Sequence, residues 1–205
     1  MKIAIIGTGN VGGALAAKWA LAGHTILLGV KDTTSFKGEG LLSNPNTTVY
    51  PIKEAVKAAD VILIATPATA AVEVAQSLGD TRGKLIIDAM NIVMGRGPAG
   101  FNSTADAILA NTESRELIKC FNTTGFNNMQ NTVYGTEKLD MFMAGDSTAA
   151  KQTVRQLALD AGFAECYDVG GNDMFQLMEQ FAFFWINLAM RQGLGREIGF
   201  KLMKR

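Results

Sequence analysis

Residues 3–13 read Ile-Ala-Ile-Ile-Gly-Thr-Gly-Asn-Val-Gly-Gly, and this stretch decides the fold. Ile3 to Ile6 form a short apolar strand. Gly7, Gly9 and Gly12 follow at G-x-G-x-x-G spacing, and 14–23 (ALAAKWALAG) continue as a helix. Gly7 permits the tight turn off the strand, Gly9 lets a pyrophosphate approach bare backbone, and Gly12 lets the helix pack close to the strand. The first amides of that helix point outward unpaired, and its dipole favours an anion. Glycine makes up 22 of 205 residues, so the spacing alone is a weak signal. The strand before it and the helix after it supply the context that a dinucleotide site requires.

Further along, strands and helices keep alternating. Apolar runs at 25–28, 61–65, 85–88 and 117–122 read as strands buried on both faces, with a weaker strand at 47–50. Helical patterns fill 52–58 and 70–78, and a further strand, helix and strand occupy 141–144, 147–161 and 164–169. The fold class is therefore α/β: a Rossmann-type, doubly wound, mostly parallel sheet with a C-terminal helical appendage. Residues 1–169 are expected to form the NAD(P)-binding domain, and 170–205 a helical appendage that contacts a dimer partner.

In that appendage Asp173 and Gln176 have the spacing of a capping box for a long helix. The run Phe181 to Met190 is apolar almost all round, so it needs cover on more than one side, and a second copy is an economical cover. Residues 193–203 (GLGREIGFKLM) read as a second, glycine-punctuated helix.

Nineteen basic and nineteen acidic side chains cancel, and no basic run exceeds two residues, which argues against a nucleic-acid partner. No apolar run is long enough to span a bilayer or to act as a signal peptide, so a cytoplasmic protein with no membrane partner is expected. Cys120 and Cys166 read as buried thiols, and with a single histidine, His24, no metal site is expected.

The strand after the fingerprint helix bears on cofactor choice. It exits as Val30-Lys31-Asp32. Val30 stands where an acid would bind ribose hydroxyls and Lys31 suits a 2′-phosphate, so NADP is favoured; Asp32, twenty residues past Gly12, keeps NAD open. Thr66 and Pro67, Asn91, and Asn122 to Thr124 all lie at carboxyl ends of strands, where open sheets bind ligands. Asp88 is the one acid near the cleft and has no His, Ser or Lys partner at a recognisable spacing, so no catalytic residue is assigned. Hydride transfer between two bound redox rings needs oriented rings more than proton chemistry.

The combination resembles the deazaflavin-dependent NADP oxidoreductases and the related reductase domain of six-transmembrane metalloreductases. It rests on Ile-Ile-Gly-Thr-Gly-Asn-Val-Gly at 5–12, Ala-Gly-His at 22–24, Leu-Leu-Gly-Val-Lys at 27–31 and Ala-Thr-Pro at 65–67. Phe-Asn-Thr at 121–123 and the segments at 186–191 and 195–201 complete it. The resemblance implies a homodimer whose cleft, roofed by C-terminal helices, holds NADP beside a flavin or deazaflavin. It places Thr8, Gly9, Asn10 and Val11 on the cofactor phosphates and ribose, Val30 and Lys31 at the 2′-phosphate, and Thr66 and Pro67 beside the nicotinamide ribose. The family usually has Ser-Arg where this chain has Val30-Lys31, so a point charge replaces a bidentate fork. Two other readings stay open: an NADP-binding redox sensor without turnover, and a dehydrogenase of a small alcohol or imine.

Overall fold

The computed structural model describes residues 1–205. β1 (Lys2–Ile6) turns at the glycines into α1 (Asn10–Leu21), and β2 (Thr25–Val30), β3 (Thr47–Pro51), α2 (Ile52–Ala58) and β4 (Val61–Ile64) follow. Next come α3 (Ala71–Ser77), β5 (Leu85–Asp88), α4 (Thr104–Ala110), β6 (Leu117–Cys120) and α5 (Phe126–Gln130). A small hairpin, β7 (Val133–Tyr134) and β8 (Glu137–Lys138), leads to β9 (Met141–Ala144), α6 (Thr148–Asp160) and β10 (Cys166–Gly170). The last helix, α7 (Phe175–Ile186), runs into a π-helical turn at Asn187–Arg191.

Eight strands form one sheet in the order β10-β9-β6-β5-β4-β1-β2-β3. The six from β6 to β3 are mutually parallel, as the alternating pattern requires. β9 runs antiparallel to β6, and β10 is parallel to β9. The reversal has a local cause. A parallel neighbour needs a crossover that carries the chain back along the sheet. Between β6 and β9 the chain has only a five-residue helix and a two-residue-per-strand hairpin, so it re-enters at the end where β6 left.

Side chains alternate across β1 as a doubly covered strand demands. Ile3 and Ile5 pack with Leu15 of α1, Met129 of α5 and Leu157 of α6; Ala4 and Ile6 pack with Val56, Val74, Ile108 and Met178 from α2, α3, α4 and α7. Trp19 of α1 donates its indole N–H to the Leu157 carbonyl at 2.8 Å and meets the Phe121 ring edge-on at 5.5 Å, locking α1 to α6 and to the end of β6.

The C-terminal region departs from expectation in two places. α7 has no side-chain cap: Asp173 lies inside a 3-10 turn, Asn172–Met174, that leads into the helix, and the Met174 amide donates to the Gly171 carbonyl at 3.1 Å. Residues 193–203 are not helical. Gly193 and Gly195 take φ of +74° and +80°, which ends the helix, and the rest forms a strap. The Ile198 carbonyl accepts from Asn128 Nδ2 at 2.6 Å and from Trp185 Nε1 at 2.7 Å, and the Asp140 amide donates to the Phe200 carbonyl at 3.0 Å. Phe200 stacks on Phe181 at 4.8 Å, so the chain's own tail covers part of the apolar surface of α7. No helix is long and apolar enough to cross a membrane.

Cys120 on β6 and Cys166 on β10 are buried with their sulfurs 3.8 Å apart. Burial pushes the Cys120 thiol well above its usual range, which keeps it protonated and unreactive. β9 lies between the two strands, so their Cα atoms stand about two strand spacings apart, roughly 9 Å, beyond the ~7 Å limit for a disulfide. Both thiols should resist alkylation in the folded protein and react together in denaturant. Appearance of an intramolecular disulfide in folded protein under mild oxidant, read by mass spectrometry, would contradict this packing.

Candidate functional site

The fingerprint turn has the shape its glycines predict. Gly7 takes φ of +99°, and a Cβ there would lie 2.6 Å from the Ala65 carbonyl oxygen. A Cβ on Gly12 would lie 2.0 Å from the Gly7 carbonyl oxygen, so helix and turn can approach this closely only with glycine. Gly9 differs: nothing lies within 4 Å of where its Cβ would be. No side chain caps the start of α1, and its first turn holds no acid. The positive end of the helix dipole is therefore left free for an anion.

Two cavities border this turn, and a third lies at the exits of β4 and β5. The largest, about 580 Å³, runs along α1 between Thr8, Gly9, Asn10, Lys18, Lys37, Gly38 and Phe126. Its wall is the loop after β2: Thr8 Oγ1 donates to the Lys37 carbonyl, and Gly38 presses against the Thr8 carbonyl. A second, about 210 Å³, opens between the ends of β1, β2 and β4 and is lined by Gly7, Thr8, Val30, Lys31 and Thr66. A third, about 340 Å³, lies between the exits of β4 and β5, lined by Pro67, Thr69, Asn91, Met94 and Arg96. Every ionisable residue lining the three is a Lys or an Arg.

The residues singled out in the sequence thus fall into groups. Gly7, Thr8, Val30, Lys31 and Thr66 share one cavity, Gly9 and Asn10 line another, and Pro67 and Asn91 line the third. Gly12 is buried at the back of the turn, and the Val11 side chain packs on the core beside α1, leaving only its main chain for a ligand. Asn122 is buried behind Asn91. Its Nδ2 donates to Asn91 Oδ1 at 3.0 Å and to the Met178 carbonyl at 3.1 Å, while Asn91 Nδ2 donates to the Asn122 carbonyl at 2.7 Å. Asn122 Oδ1 is buried with no hydrogen-bond partner. The preceding Phe121 takes φ of +61°, unusual for a bulky residue, and this bend turns the chain at the end of β6. Asp32 is spent on its own turn, accepting from the Thr34 amide at 2.8 Å and the Thr34 hydroxyl at 2.6 Å. His24 pairs with Asp160 at 2.8 Å, away from these cavities.

Asp88 does have a lysine partner. Lys119 stands opposite it in the β5–β6 register, wholly buried, with Nζ 2.8 Å from Asp88 Oδ2 and 2.9 Å from Glu179 Oε1 of α7. Nζ also donates to the Met90 carbonyl at 3.0 Å and lies 2.9 Å from Thr104 Oγ1. Glu179 Oε2 accepts from the Ile92 amide at 2.7 Å. The signal was present: Lys119 interrupts an otherwise apolar strand, Leu-Ile-Lys-Cys, and a buried ammonium must find a carboxylate. The partners missed were cross-strand and, for Glu179, sixty residues away, where spacing says nothing.

One ammonium among two carboxylates makes Lys119 the keystone. Lys119→Met should cost about 3–5 kcal/mol, because it strands two buried carboxylates. Asp88→Asn should cost less, since Lys119 keeps Glu179. Asp88's carboxyl already sits above the usual range, burial outweighing the ammonium's pull. Without the lowering pull of Lys119 the buried Asp88 carboxyl would hold its proton more tightly still in the folded state, and a raised folded pKa contributes stability that is lost as pH rises. The Lys119→Met variant should regain melting temperature between pH 7 and 5, by more than the wild type does. A flat profile would refute this.

Residues 2–92 match the model of the family described as NADP oxidoreductase, coenzyme F420-dependent. A candidate F420-dependent NADP reductase from Arthrobacter sp. FB24 superposes with a TM-score of 0.86 and 23% identity, over 100% of both chains. A hypothetical protein from Sinorhizobium meliloti does so at 0.72 and 21%, over 100% of this chain and 96% of that one. The reductive aminase of Aspergillus terreus, solved with NADPH and ethyl-5-oxohexanoate, gives 0.66 and 19%, over 94% of this chain and 63% of its own. At these identities the structural likenesses establish the Rossmann-type fold. The match over residues 2–92 takes in the fingerprint turn and the strands from β1 to β5, and this similarity supports an NAD(P)-dependent oxidoreductase.

Proposed function

We propose that the chain binds NADP along the carboxyl edge of the sheet and passes a hydride between its nicotinamide and a flat acceptor, a flavin or deazaflavin. The observation that carries this reading is one of charge and space. The two cavities at the fingerprint and the third at the exits of β4 and β5 include cations and no acids in their linings, and Gly9 leaves open the approach to an uncapped helix end. Gly7 to Gly12 receive the diphosphate through main-chain amides, with Thr8 and Asn10 beside it. Val30 and Lys31 face the 2′-phosphate, and the engagement of Asp32 with Thr34 supports NADP over NAD. Thr66, Pro67, Asn91 and Asn122 flank the nicotinamide half. The orphaned Asn122 Oδ1 is an acceptor of the kind a carboxamide amide needs. When bound, NADP supplies the hydride chemistry; the chain's residues hold and orient it.

On this reading residues 1–169 hold the nucleotide, and 170–205 cover the acceptor and meet a second copy. Leu177, Phe183, Met190 and Leu194 stay exposed despite the strap, which supports a homodimer. Sedimentation equilibrium should give twice the chain mass at micromolar concentration; a monomer would remove the dimer from the proposal. Reduction of a small imine is the second reading, since the NADPH-bound Aspergillus terreus aminase shares the fold. No carboxylic acid or histidine lines the three cavities to donate the proton that reaction needs, so the ring acceptor is preferred.

The test separates binding from folding. Gly9→Val should fold like the wild type, because its side chain enters open space. It should nevertheless lose NADPH affinity tenfold or more by calorimetry. NADPH oxidation with FMN, riboflavin or a deazaflavin should then exceed that with imines and ketones. Tight NADPH binding with no turnover on any acceptor would leave the sensor reading in its place.

A further inference from the structure

The rim of the cavity between the ends of β1, β2 and β4 holds a charge pair made by residues far apart in sequence. Lys31, the first residue after β2, places Nζ 2.6 Å from Glu73 Oε1, in the first turn of α3. Lys31 is the only charged residue lining this cavity, and Val74, next to Glu73, lines it too. Both side chains of the pair are largely exposed, at 75% and 68%. Asp32, the other acid on this rim by sequence, is occupied by Thr34. Glu73 is therefore the carboxylate that Lys31 faces.

We propose that Glu73 sets the choice between NADP and NAD by competing with the 2′-phosphate for Lys31. The inference rests on the nucleotide site proposed above and adds a selectivity residue to it. The logic is electrostatic. A 2′-phosphate approaching Lys31 must draw the ammonium away from Glu73, then sit beside the carboxylate it displaced. NAD brings ribose hydroxyls instead, which can donate to a carboxylate. Glu73 thus acts against NADP and in favour of NAD, and it narrows a preference that Lys31 alone would make wide. A lysine in place of an arginine fork is one cause of weakened NADP selection at this position. The pair with Glu73 is a second, separate cause, and it lies outside the fingerprint and its flanking strand.

Because the pair is exposed, the effect is modest and screened by salt. Glu73→Gln should raise NADP affinity about three- to tenfold and leave NAD unchanged or slightly weaker, with an unaltered melting temperature. In a Lys31→Met background the gain from Glu73→Gln should shrink, because there is no ammonium left to release, and at high salt it should shrink as well. Calorimetric titration of NADP and NAD into the wild type, both single variants and the double variant reads all of this. Binding of both nucleotides with a ratio unchanged within twofold in Glu73→Gln would overturn the proposal alone. So would a fall in NADP affinity, which would mean that Glu73 positions Lys31 for the phosphate. Folded wild type that takes up neither nucleotide would overturn the site and this inference together.

Discussion

A single ammonium, shut away from water between two carboxylates, sets how the last helix meets the sheet. Lys119 reaches Asp88 on the adjacent strand, Glu179 on α7 and the Thr104 hydroxyl at the start of α4. Glu179 in turn accepts from the Ile92 amide, and Asp88 from the Met90 amide. Hydrophobic packing is tolerant of sliding by a fraction of an ångström, whereas a desolvated charge is not. Such clusters often add little net stability over an apolar replacement of the same volume, yet cost much when half of one is removed. Its structural consequence here is that the loop after β5, which holds Asn91 and borders a cavity, is pinned at the same point as α7.

That pinning matters because the carboxyl edge of the sheet is otherwise built from small contacts. The turn at Gly7 and the approach of Gly12 to the Gly7 carbonyl place the start of α1 against β1 with no room for a side chain. The loop after β2 folds back onto Thr8. The Asn91–Asn122 pair joins the ends of β5 and β6 through reciprocal amide hydrogen bonds. None of these is strong alone. Together with the ion cluster they hold three cavities in fixed relation along one edge, which is what a long, jointed ligand requires.

Most of the Rossmann core was legible because its cause is local. Each strand is a short apolar run, and the glycine spacing has steric reasons that the fold bears out at Gly7 and Gly12. Where the chain was misread, the determinants were tertiary. Residues 193–203 have helix-forming residues between glycines, but Gly193 and Gly195 adopt positive φ and Phe200 finds a stack on Phe181, so the strap wins over propensity. α4 escaped notice although Ser103 and Asp106 announce it: the Ser103 hydroxyl accepts from the Asp106 amide at 3.0 Å and donates to its carboxylate at 2.7 Å. The partner of Asp88 was invisible because cross-strand register is not written in spacing. The same is true of Glu73, whose relation to Lys31 exists only once β2 and β4 lie on either side of β1.

The distribution of charge around the proposed site bears on what kind of reaction it suits. Cations and no acids stand among the residues lining the cavities, and several acids close by in the fold are engaged elsewhere: Asp88 and Glu179 in a buried cluster, Asp32 in its own turn, Glu39 with the Phe36 amide, Glu73 with Lys31. A site arranged for proton transfer would leave a carboxyl or imidazole with an open face towards the substrate. A site arranged to hold an anionic dinucleotide would do what is seen here, keeping positive charge and bare amides outward. Moving a hydride between two apposed rings, the reaction proposed above, draws on orientation, and a fixed sheet edge is suited to supply it. The balance at Lys31 is then the one adjustable element. In the proposed site it would lie at the end of the nucleotide farthest from the chemistry, where a modest charge competition would change which cofactor is held without disturbing how its reactive ring is presented.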